Sequence, residues 1–156
     1  MLGSYKLISK QRWAALPLRL MIGFGFAAHG YAKLSRGPAA FGAILTAIGV
    51  PAPVLTAWTT SVLELFGGVC IMMGAFVVPL SVPLVVVMLT AMFSVHLQNG
   101  FSTIKLKAVT SSGAEFGAPG YEMNLLYIAG ILTLALGGPG PASIDGWRRK
   151  KDESRS

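Results

Sequence analysis

Six ionisable side chains interrupt the long apolar stretches of this sequence: Arg19, His29, Lys33, Glu64, His96 and Glu122. In hydrocarbon such groups are costly, face the protein interior or a water-filled cavity, and mark proton, ion or substrate paths. A carboxylate and a histidine titrate near neutral pH when partly buried, which suits them to giving and taking protons. An ammonium such as Lys33 suits an anionic intermediate. The same residues also admit a structural reading. Glu64 would pair with Arg19 or Lys33 to lock helices together. Glu122 would complement the positive N-terminal end of its helix, and His29 and His96 would sit half-solvated at the interface.

Other chemistries find less support. No HExxH, CxxC, GxSxG or P-loop pattern occurs, and Gly23-Phe24-Gly25 lies within an apolar stretch, where it is no nucleotide fingerprint. His29 and His96 with Glu64 and Glu122 lack a diagnostic metal spacing, and a haem held between the two histidines has no motif behind it, so no metal is assigned. Cys70 is the single cysteine, which excludes an intrachain disulfide and suits a small packing residue. Met88, Met92 and Phe93, near His96, read as packing.

These residues need elements to position them, and composition says which solvent those elements meet. The chain of 156 residues is 53% hydrophobic and 12% charged, with a mean hydropathy of +0.63. A soluble domain carries about a quarter charged residues. The 19 glycines suit closely packed membrane helices. An integral membrane protein is expected, all-α, as a four-helix transmembrane bundle with spans at about 16–34, 54–78, 80–97 and 121–138. The first span follows a basic flank, but Arg19 interrupts it and no clear cleavage site follows, so it reads as a retained helix.

Between the first two spans, Phe41, Ile44, Leu45 and Ile48 repeat at one helical face too short to cross, which predicts a short interfacial helix. The stretch 98–120 is the longest polar connection. Ile104, Lys105, Leu106 and Lys107 alternate within it, which predicts an outer hairpin or extended lid between spans three and four. The run 137–141 (GGPGP) stops the last helix.

The net charge of +7 sits mainly at the ends: Lys6, Lys10 and Arg12 before the first span, and the basic tail 146–156 after the last. Four spans put both termini on one side, and these clusters assign that side to the cytoplasm, in contact with anionic lipid. No aromatic-interleaved basic surface of the nucleic-acid kind is present.

At about 100° per residue, Arg19, Gly23, Phe26, Gly30 and Lys33 share one stripe of the first helix, with His29 at its edge. Thr60, Ser61, Glu64, Gly67, Gly68 and Ala75 share one stripe of the second. With a rise of about 1.5 Å per residue, Glu64 falls near mid-membrane, Arg19 towards the inner end, and His29, Lys33, His96 and Glu122 towards the outer end. An outward-facing polar pocket covered by 98–120 is the resulting expectation.

The residues Arg19, Gly30-Tyr31-Ala32-Lys33-Leu34, Glu64-Leu65-Phe66-Gly67-Gly68, Glu122 and 138–145 (GPGPASID) together resemble the DoxX family of small bacterial inner-membrane proteins, over residues 16–146. The resemblance implies a four-helix membrane bundle and an association with redox chemistry. Related proteins include the quinone-reducing membrane subunit of an archaeal thiosulfate oxidoreductase, and others are linked to oxidative-stress tolerance. The relatives that use thiol pairs are not matched, since Cys70 stands alone.

The reading expected from all this is a membrane component of a redox system, not catalytic alone. Its ligand-binding candidates are His29, Lys33, Glu64, His96 and Glu122, arranged about a quinone-sized pocket. No cofactor motif is encoded, so electrons would come from a partner oxidoreductase. Arg19 and Asp145 are expected as an inner-side structural ion pair. A small-solute permease or binding protein, a purely structural subunit, and homo-oligomerisation stay open.

Overall fold

The computed structural model describes residues 13–155, so the N-terminal basic group Lys6, Lys10 and Arg12 lies outside the described residues. Six α-helices follow in order: α1 (Ala15–Ser35), α2 (Pro38–Ala47), α3 (Pro53–Met73), α4 (Val77–Ala91), α5 (Glu122–Gly137) and α6 (Ile144–Glu153). Helix α4 continues through a π-turn, Met92–His96, and a 3-10 turn, Leu97–Asn99, so the apolar rod runs unbroken to Asn99. A hairpin of β1 (Leu106–Thr110) and β2 (Gly113–Phe116) links that rod to α5.

Local chemistry sets the breaks. Gly37, at a φ of +87°, turns the chain out of α1, and Pro38 opens α2. Pro53 opens α3 in the same way, and Gly74 in the left-handed conformation closes it. The turn between α3 and α4 therefore falls at 74–76, earlier than the break near 79 expected between the second and third spans. Pro79 sits in the first turn of α4, where a missing N–H costs nothing.

Helices α1, α3, α4 and α5 pack in a ring, α1 on α3, α3 on α4, α4 on α5 and α5 on α1, while α2 lies outside against α3. Ile22, Phe26, Ile71, Val77, Leu84, Ile131 and Leu134 form the buried core. The outside is equally apolar, with Met21, Phe24, Leu55, Phe66, Val82 and Leu136 exposed, as a lipid-facing surface requires. Among the described residues two elements, Pro53–Met73 and Val77–Asn99, are long and apolar enough to cross a bilayer. Helix α1 matches them in length but carries Arg19, His29 and Lys33, and α5 is shorter, at 16 residues.

One end of the ring is closed by residues 138–145, and here an expectation fails. Arg19 and Asp145 do not pair with each other. The Arg19 guanidinium donates to the carbonyls of Pro139 at 2.7 Å and Ala142 at 2.9 Å, with Pro141 at 3.5 Å. Asp145 accepts from the backbone N–H groups of Phe76 and Val77, both at 3.0 Å, and its own N–H donates to Gly74 O. The physical reason is that helix ends and Pro-Gly loops leave backbone groups without partners, and these compete for charged side chains as well as an opposite charge does. The charged tail is also more than a tail. Ser143 caps it by accepting from Gly146 N–H, Asp145 sits in the first turn and Lys150 and Lys151 in the last, so α6 forms.

Candidate functional site

Glycine brings α1 and α3 together. A Cβ on Gly23 would lie 2.6 Å from Gly68 O and 2.7 Å from Met72 N, and one on Gly30 would meet the backbone of Leu65 and Ser61. Only hydrogen fits at these contacts, which is how small-residue stripes let membrane helices approach. Arg19, Gly23, Phe26 and Gly30 are buried on α1, and Ser61, Glu64, Gly67 and Gly68 on α3. The two expected stripes therefore face each other.

At the far end of this contact, Lys33 Nζ donates to both oxygens of Glu64, at 2.7 and 2.6 Å. The Glu64 side chain is 2% exposed and that of Lys33 24%. The ammonium also lies 4.6 Å from the centre of the Phe41 ring on α2, in cation–π contact. A buried carboxylate thus has one cationic partner among the described residues, and that cation reaches towards water.

Beyond Lys33 is a partly open cleft of about 250 Å³. His29, Ala32, Lys33 and Arg36 line it from the last turns of α1, and Gly37, Ala40, Phe41 and Ile44 from α2. Both sets follow the i, i+3, i+4, i+7 rule, so two helical faces meet across it. The gap exists because α2 gives its other face, Gly42 and Leu45, to α3 and touches α1 only slightly. The expected single apolar face of α2 is thus divided between a neighbour and the cleft.

The remaining candidates lie elsewhere. His96 Nδ1 and Asn99 Nδ2 both bond Pro119 O at 3.1 Å, and Glu122 accepts from Thr103 N–H at 3.0 Å. Backbone pairs Gly117–Lys105, Gly120–Ser102 and Tyr121–Gly100 extend the hairpin stem between them. For His96 to donate to a carbonyl, its proton must sit on Nδ1. The π-turn ending at His96 is a register shift of the kind often found at functional positions. Here it accompanies the hairpin anchor. The hairpin contributes nothing to the lining of the α1–α2 cleft, whose wall is α2, so the expected cover over the pocket is replaced by a separately anchored projection. Lys33 joins Glu64, His29 shares their cleft edge, and His96 and Glu122 serve the hairpin.

Three residues gain importance that the sequence reading passed over. Arg36 lines the cleft, and its place in the His29, Ala32, Lys33 spacing was readable. Asn124, buried in α5, donates to Met88 O at 3.2 Å and ties α5 to α4. Its signal was an amide inside an apolar run. Ser143 caps α6. Among the described residues no three His, Cys, Asp or Glu side chains gather as a metal set, and Cys70 is a half-buried free thiol.

A family model described as DoxX matches residues 14–97, more than half of the chain, from the start of α1 almost to the end of the α4 rod. That range holds Arg19, His29, Lys33, Glu64 and His96, whereas Glu122 and Asp145 follow it. No curated protein and no solved structure matches the chain. A membrane protein whose helices α1, α3 and α4 carry the family pattern, the chain belongs to the DoxX family.

Proposed function

We propose that this protein is a multi-pass component of the bacterial inner membrane, with both termini cytoplasmic. It serves a quinone-linked or oxidative-stress redox system together with a partner oxidoreductase and is not catalytic alone. In this reading all four ring helices cross the bilayer, α1 carrying its charges on the face turned to α3. Family membership supports the membrane setting, and the redox role extends the resemblance seen in the sequence. One observation carries the subunit role. The charges are occupied internally: Arg19 by loop carbonyls, Asp145 by the start of α4, Glu64 by Lys33, and His96 and Glu122 by the hairpin. Such a set holds a shape for a partner to recognise. The electron-carrying groups then belong to the partner, and a quinone meets this chain at their shared boundary.

A second reading, a small-solute permease or binding protein, draws on the cleft beside His29 and Lys33. The full occupation of Glu64 favours a purely structural subunit. Purification in mild detergent tests all three. The redox reading expects a flavin- or metal-bearing oxidoreductase to co-purify, and membranes lacking this chain to lose reduction of a short-chain quinone. Unchanged quinone reduction in such membranes sinks it, and proton-coupled solute flux in liposomes selects the permease.

A further inference from the structure

The α1–α2 cleft has a charge imbalance that the Lys33–Glu64 pair does not use. Lys33 is neutralised by Glu64, but the Arg36 guanidinium has no hydrogen-bonding or ionic partner among the described residues. His29, exposed on the same helical face, adds a second donor. No carboxylate lines the cleft. The opposing wall, Phe41 and Ile44, is apolar. The whole lies where the chain turns at Gly37 from the end of α1 into α2, at the level expected for headgroups.

We infer that this cleft seats the headgroup of an anionic phospholipid, its phosphate held by Arg36 and His29 and its glycerol and first acyl carbons against Phe41 and Ile44. The planar guanidinium fork matches a phosphate and is always charged. Headgroup choice follows from what is missing. An ethanolamine ammonium would find no carboxylate to accept its protons, whereas a phosphoglycerol headgroup needs none. The site therefore prefers phosphatidylglycerol to phosphatidylethanolamine. This assignment goes beyond the redox reading and does not depend on it.

The test is native mass spectrometry of the detergent-purified chain with phosphatidylglycerol or phosphatidylethanolamine added at equal concentration. The wild type should retain the anionic lipid about fivefold more, the factor expected for one surface cation. Arg36→Gln should remove about that factor, leaving only what the basic tail contributes, while Lys107→Gln, exposed on β1 and outside the cleft lining, should keep it. Thermal unfolding without added lipid should be the same for Arg36→Gln and wild type, which separates lost binding from lost folding. Equal retention of the two lipids by the wild type overturns the proposal, as does an Arg36→Gln chain that keeps the preference. Displacement of the lipid by millimolar inorganic phosphate would assign the site to a free anion. Displacement by a neutral short-chain quinone, equally effective on Arg36→Gln, would assign it to a quinone head and would strengthen the redox reading while sinking this one.

Discussion

Lys33 and Glu64 form one ion pair with unequal access to water: the ammonium side chain is 24% exposed through the cleft and the carboxylate 2%. The two ends of the pair should therefore respond differently to substitution. Lys33→Met strands a buried carboxylate and should cost about 3–5 kcal/mol, whereas Glu64→Gln leaves a lysine that can turn to solvent and should cost about 1–2 kcal/mol. The double variant Lys33→Met, Glu64→Met should recover most of the loss. Chemical unfolding in a defined detergent reads the difference. Equal losses in the two single variants would show that the pair is not asymmetric.

Gly68 tests the helix approach that makes the pair possible. An added Cβ would strike the backbone of Ala27 and Gly23. Gly68→Ala should lower stability by about 1–3 kcal/mol by forcing α1 from α3. Gly137→Ala, with open space around its Cβ position, is the matched control. A stability unchanged in both would contradict the close contact.

Arg19 holds the loop after α5 through carbonyls rather than through Asp145. Arg19→Met should destabilise by about 2–3 kcal/mol, because charged hydrogen bonds are lost and buried carbonyls go unpaired. Asp145→Ala should instead release the start of α4. Hydrogen exchange should then rise at Phe76 and Val77 in Asp145→Ala and not in Arg19→Met. If the two variants open the same amides, the residues act as one unit after all.

The hairpin should loosen without the bundle melting. His96→Ala combined with Asn99→Ala removes both donors to Pro119 O, at about 1 kcal/mol each. Limited proteolysis should cut faster within 104–118 while the thermal midpoint moves by only a few degrees. Cutting at the wild-type rate would mean that the stem's backbone bonds suffice.

Much of this molecule follows from local rules. The buried faces of α1 and α3 were legible because a helix has a fixed period, so Arg19, Gly23, Gly30 and Lys33, or Ser61, Glu64 and Gly68, must share a side whatever they meet. Alternation at Ile104–Lys107 pointed to the hairpin, and the glycines and prolines at 37–38, 51–53 and 137–141 marked the breaks. The family was also visible in the charges, although the resemblance was drawn over 16–146 and the family model matches 14–97. Partner choice was not. Glu64 meets Lys33 instead of Arg19 because the axial offset of two helices, set by where their glycines interlock, decides which charge arrives. Arg19 and Asp145 turn to backbone because the loop and helix ends that fold around them offer unpaired carbonyls and N–H groups, which no sequence spacing records. His29 and Lys33 part from His96 and Glu122 because α2, docked on α3 by Gly42 and Leu45, builds one wall and the π-turn of the α4 rod accompanies another. Periodicity is a property of one element, so the chain alone determines it. Contacts between elements depend on their relative placement, and only the tertiary structure decides that.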